Sequence, residues 1–263
     1  MKDRFSHQRY SLYKAVSAFE PYIPKLHGEN DKEGFFDWPT VILATTAQCT
    51  AVSLFKILPD ENEKTEILDK RSIASLVRNL VDTHDVIDLM INTESSDEFE
   101  LNRDILGMYL AGRINKVQES IDKPNAQQFF KHSKQWYWDR IKKSPLYSKR
   151  LERIKSGETV FYKSRRERVE RACSKDTDFV LSVLVDISTF VHSVPPTVWF
   201  DEIENIFINS VDNRNLAAIW LRIANFYMAR IIEKVVIFAN FDATEELAMF
   251  LGSHKTVFSE SAS

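Results

Sequence analysis

Cysteine, glycine and proline are scarce in this chain, with two, six and eight in 263 residues. Glycine and proline fall well under their usual shares of about 7% and 5%, which disfavours sheet-and-turn architectures and favours long, rarely interrupted helices. The two cysteines, Cys49 and Cys173, stand far apart without Cys-x-x-Cys or Cys/His ligand spacing. The sequence therefore predicts a reduced, cytoplasmic protein with no disulfide framework, structural zinc or redox motif, and both thiols as core filler. No run reaches about 18 uncharged apolar residues, and the opening MKDRFSHQRY is charged without an apolar core, so neither a membrane span nor a secretion signal is expected. A phosphate-binding loop, a dinucleotide glycine fingerprint and a His-Glu-x-x-His motif are missing too, so no cofactor or metal is expected. His7, His27, His132 and His254 are scattered without a metal-ligand spacing.

What is present is helical periodicity from end to end, and the expected fold class is all-α: long antiparallel helices in a bundle, one domain spanning 1–263. The first helix covers about 6–19, with Tyr10, Tyr13, Val16 and Phe19 at helical spacing, and breaks at Pro21 and Pro24. A polar loop follows. A second helix from Pro39 to Leu58 carries the small-residue run 44–51 and reads as a central, tightly packed element. Asp69 is the expected N-cap of a third, with Ile73, Leu76, Leu80, Ile87 and Met90 as its apolar stripe. Ser95 and Glu98 match a capping box before a fourth, which should bury Leu106, Leu110, Ile114, Val117 and Ile121. Three further helices are expected near 126–142, 145–155 and 164–174. Asp176 should cap the apolar stretch that follows, and a long helix from about 212 and a short one at 243–251 complete the chain.

Two helices carry polar groups that invite chemistry. The stretch 179–199, FVLSVLVDISTFVHSVPPTVW, sets Ser188 and His192 one turn apart within an apolar run. The helix at 69–92 carries Arg78, Asp82 and His84. Arg78 and Asp82 are four apart and share a face, whereas six residues of α-helix place His84 about 120° around the axis from Arg78. No Gly-x-Ser-x-Gly elbow accompanies Ser188, so a serine hydrolase is not expected.

The run RNLVDTH, from Arg78 to His84, resembles the R-x(4–6)-H motif of HEPN-type ribonucleases, which are helical. That resemblance implies metal-independent RNA cleavage, with a histidine acting at the ribose 2′-hydroxyl or the leaving group and an arginine stabilising the phosphate, two subunits pooling their motifs in a homodimer. The pairing of R-x-x-x-[D/E] with a later L/I-S-x-x-V-H before proline is also similar to an uncharacterised family of bacterial all-helical proteins. The matching residues are Arg78, Asp82, Ile187, Ser188, Val191 and His192. Leu184 stands where that family usually has tyrosine, and Asp82 where glutamate is commoner. The resemblance implies that Arg78, Asp82, Ser188 and His192 meet in one polar centre. In a catalytic reading, His192 and Arg78 serve as acid/base and phosphate-stabilising groups, His84 is the alternative histidine, and Asp82 or Ser188 orients them.

Charge adds a second signal. The whole chain is at −3, yet 131–171 holds 14 Lys/Arg against five Asp/Glu. Within this basic appendage, at about 126–171, Lys142, Lys143, Arg150, Arg153, Arg165 and Arg166 are interleaved with Trp136 and Trp138, the two ingredients of single-stranded nucleic-acid binding. Two readings stay open. One is an RNA-binding and RNA-cleaving HEPN-like protein, a bacterial defence or toxin effector. The other is a non-catalytic helical adaptor that contacts a protein partner and whose Arg/Asp/Ser/His cluster is a buried structural network.

Overall fold

The computed structural model describes residues 3–33, 38–60, 67–118, 123–191 and 208–258. Ten α-helices are found among them: α1 (Arg4–Phe19), α2 (Tyr22–Glu33), α3 (Trp38–Ile57), α4 (Lys70–Ile91), α5 (Ser96–Gln118), α6 (Lys123–Lys143), α7 (Arg165–Cys173), α8 (Thr177–Val191), α9 (Val211–Phe238) and α10 (Glu245–Ser253), with a 3-10 helix at Lys149–Ile154. The fold is all-α. Extended pairing among the described residues is limited to an isolated antiparallel bridge between Ile67 and Ile208.

Local chemistry sets the helix ends. Asp69 caps α4 by accepting the Ser72 N–H at 3.0 Å. At α5 the Glu98 N–H donates to Ser95 Oγ at 3.2 Å, and the Glu98 carboxylate accepts from the Glu94 N–H at 2.8 Å. Ser164 and Glu167 repeat the device at α7, each accepting the other's backbone N–H. Asp176, expected to cap α8, instead accepts the Val257 N–H at 3.0 Å, because the chain after α10 arrives beside it. Pro24 does not break the chain: it lies in the first turn of α2, where its missing N–H costs nothing. The expected loop after it is therefore partly helical.

The chain divides into two compact units, Met1–Ile87 with Val169–Ser263, and Asp88–Arg168. In the first, α9 is the central helix. From Ala217 to Val236 most of it is buried, including Trp220, Ile223, Ala224, Tyr227, Met228 and Ile232, as suits a central helix. α1, α3, α8 and α10 pack against it. α1 contributes Phe5, Leu12, Ala15 and Phe19 and leaves Tyr10 and Tyr13 about half exposed, a rotation from the expected stripe. α3 is peripheral rather than central: Ala44, Ala47, Ala51 and Leu54 are buried, while Ile42 is exposed and Cys49 lies on the surface instead of in the core. By length and composition its Pro39–Ile57 stretch is able to cross a membrane, and 39% of that window is buried. Arg214 meets Asp3 at 2.8 Å near the starts of α1 and α9, and Tyr22, just past the end of α1, hydrogen-bonds Asp242, just past the end of α9. These two helices therefore run in the same direction.

The second unit is built on α5 and α6. Asp104 meets Arg140 and Gly107 lies against Tyr137, a rising register against a falling one, so the pair is antiparallel. Of the expected α5 stripe only Leu106 is buried; Leu110, Ile114 and Val117 are exposed, and Ile121 lies outside the described residues. Leu101, Ile105, Met108 and Ala111 face the core instead. The helix has two apolar stripes, and α6 approaches it closely at a glycine. A Cβ at Gly107 would sit 2.5 Å from the Tyr137 ring. Glycine to alanine inside a helix ordinarily gains about 1 kcal/mol. Here Gly107→Ala is expected to cost about 1–2 kcal/mol through overpacking, and to become stabilising in a Tyr137→Ser background. Thermal unfolding of the four chains checks this, and a more stable Gly107→Ala single variant would contradict the close approach.

Candidate functional site

Arg78 and Asp82, one turn apart on α4, pair at 3.6 Å. From the facing helix α8, Ser188 Oγ accepts a hydrogen bond from Arg78 Nη1 at 3.3 Å. The Ser188 hydroxyl in turn donates to the Leu184 carbonyl, one turn back, at 2.7 Å. Its proton is thus committed to its own helix, which suits an orienting group and not a nucleophile. The cluster is partly exposed, with side-chain exposures of 25% for Arg78 and 42% for Asp82.

His84 does not join it. It is 1% exposed, its Nδ1 lies 3.2 Å from Asp85 Oδ1, and its ring meets Tyr227 edge-on at 4.9 Å. The helical angle predicts this: α4 turns its arginine to the surface and its histidine into the core. His192 lies outside the described residues. Cys173 is buried, and its thiol is pushed up to about 12 by burial and then by Asp176, so it is a packing residue and not a reactive thiolate. Among the described residues no group of three His, Cys, Asp or Glu is placed to hold a metal ion.

No family model, curated protein or solved structure matches this chain. Its chemistry must come from its own residues.

The basic segment falls mostly in the second unit, and its two tryptophans part company. Trp138 is 3% exposed, with Lys142 and Lys155 each 5.7 Å from its ring centre, so its face is not free for a base. Trp136 is 55% exposed, and the Arg140 guanidinium lies 4.9 Å from its ring centre. His132, Trp136, Arg140 and Lys143 follow one another at steps of four, four and three along α6, one face of a helix. Lys142, Lys143, Lys149 and Arg153 are exposed. Arg150 is engaged instead, donating from Nη2 to both Glu167 oxygens at 2.7 and 2.6 Å. That contact and the Ser164 hydrogen bonds hold the Glu167 carboxyl down at about 2. Arg165 and Arg166, at the start of α7, are both engaged in interactions of their own.

One group of residues escaped the sequence reading altogether. Arg4, His7, Ser11 and Lys14 recur at three- and four-residue steps on α1 and line a cavity with His254. Their spacing is visible in the sequence, but nothing there shows that a histidine 243 positions after Ser11 completes the group.

Proposed function

We propose that this protein binds single-stranded RNA through the α6 face and the basic 3-10 turn of its second unit. The observation that carries the reading is Trp136: a large aromatic ring more than half exposed, stacked by Arg140, in a surface of lysines and arginines. Bases stack on such a platform while the cations follow the phosphate backbone. Lys143, Lys149 and Arg153 have no ion pair among the described residues, so their charge is available to phosphates. HEPN-like RNA cleavage is a separate proposal for the first unit, and its support is Arg78, a quarter of whose side chain reaches solvent. The adaptor reading is favoured by a different observation: Arg78 is engaged on two sides, by Asp82 and Ser188, as a tie between α4 and α8 would be.

Fluorescence anisotropy with a labelled single-stranded oligoribonucleotide distinguishes them. Binding should weaken steeply with salt, and Trp136→Ala should weaken it about tenfold, the lower end of one base-stacking contact. An intact chain that ignores RNA at low salt leaves the adaptor reading standing. The same oligonucleotide run on a gel tests cleavage, which Arg78→Ala must abolish if that arginine stabilises the reacting phosphate.

A further inference from the structure

The face of α1 that carries Arg4, His7, Ser11 and Lys14 opens into a cavity of about 1390 Å³ within the first unit. Its remaining walls come from α9, through Ile219 and Arg222, and from α10, through Met249, Phe250 and His254. Cavities that hold drug-sized ligands run about 300–1,000 Å³, so there is room for an extended molecule and water.

The charges in this cavity are unevenly matched. Arg4, Lys14 and Arg222 have no ion pair among the described residues; Lys14 lies 5.1 Å from the Tyr10 ring centre and Arg222 lies 5.2 Å from that of Phe258. Glu246 is the acidic side chain in the lining. His254 has a hydrogen-bond partner on each ring nitrogen. Its Nδ1 is 2.9 Å from the Phe250 carbonyl, which can only accept, so Nδ1 carries a proton, and Nε2 lies 2.9 Å from the Ser11 hydroxyl. Burial pushes its pKa down, the Phe250 hydrogen bond opposes this, and Lys14, His7 and Arg222 push it down in turn. Three permanent cations thus line one cavity, a positive surface that favours an anion.

We propose that this cavity binds an organic phosphate of the nucleotide class, with its phosphates against Arg4, Lys14 and Arg222 and its flat body against Ile219, Met249 and Phe250. Guanidinium groups match phosphate oxygens in pairs. Three cations exceed what a single carboxylate neutralises and suit a di- or triphosphate. The apolar wall offers surface to a base that a bare inorganic anion would leave unused. The site shares no residue with the RNA surface of the second unit.

Isothermal titration of the full chain with ATP, pyrophosphate and adenosine tests it. ATP is expected to bind, pyrophosphate more weakly, and adenosine not detectably. Lys14→Gln and Arg222→Gln are each expected to weaken ATP about tenfold or more, the loss of one charge-assisted contact. Lys14 is exposed, so its variant keeps the test valid should Arg222→Gln fail to fold. No binding of ATP at millimolar concentration overturns the proposal, as does an ATP affinity indifferent to Lys14→Gln. Adenosine or pyrophosphate binding as tightly as ATP overturns the nucleotide assignment.

Discussion

Trp220→Ala is expected to lower the unfolding free energy by about 3–5 kcal/mol, the range for removing a buried large aromatic. Trp220 is fully buried in the central helix α9, and its ring meets that of Phe190 edge-on at 4.9 Å. It also donates from Nε1 to Asp186 Oδ2 at 2.8 Å. The variant therefore loses ring volume and strands an acceptor. Trp220→Phe separates the two losses, keeping most of the ring and removing the N–H at about 1–3 kcal/mol. Burial already raises the Asp186 carboxyl above its ordinary value, opposed first by the Trp220 hydrogen bond and then by Lys70. Without the indole N–H it rises further. A carboxyl whose folded pKa exceeds its unfolded one favours the folded state at pH below the unfolded value, and that stability is lost as pH rises through the folded one. The Trp220→Phe deficit should accordingly be larger at pH 7 than at pH 4. Urea unfolding at both pH values, read by hydrogen exchange of α9 amides, measures it; an equal deficit at both would refute the Asp186 account.

In the second unit the corresponding sensitive point is Arg140, and Arg140→Leu is expected to cost about 2–3 kcal/mol. Its Nε lies 2.9 Å from both Asp104 oxygens. Asp104 is 6% exposed. Removing one partner of a fully buried pair costs about 3–5 kcal/mol because the other charge is left without compensation. Arg140 keeps 38% of its side chain exposed, so water reaches the pair and the figure must be reduced. Asp104→Leu/Arg140→Leu should regain much of the loss, since it leaves no orphaned charge. A double variant no more stable than the single one would mean that the pair contributes through packing instead. RNA affinity should fall with Arg140→Leu as well, through the lost contact with Trp136.

Much of this architecture is legible in the sequence because it is local. Asp69, Ser95 and Ser164 lie where short-range capping chemistry puts helix starts, and Ile73, Leu80, Ile87 and Met90 line the buried side of α4 as their spacing requires. The same geometry separates Arg78 from His84 and joins it to Asp82. Ser188 reaches Arg78 across two helices, as the paired motifs imply. Long-range choices are not legible. α5 offers two apolar stripes, and tertiary packing, not spacing, buries Leu101, Ile105 and Met108 while leaving Leu110 and Ile114 exposed. Trp136 and Trp138 are two residues apart in the same helix, and tertiary packing alone sends one to solvent and the other to the core. The cavity beside α1 requires residues from both extremes of the chain, a juxtaposition that periodicity does not encode.

The packing of α1 on α9 has a temporal consequence. Tyr22 donates its hydroxyl proton to the Asp242 carbonyl and accepts the Thr244 N–H, 220 and 222 residues further on. During synthesis the amino-terminal helices therefore leave the ribosome long before their main partner exists. Asp88–Arg168, being continuous, has every residue of its own core in hand once Arg168 emerges. At about 5–20 residues per second, α1 waits roughly 10–50 seconds for α9, with α3 as its earlier-made packing partner. In that interval the nascent chain is most dependent on chaperones, and premature termination before α9 should yield an aggregating fragment.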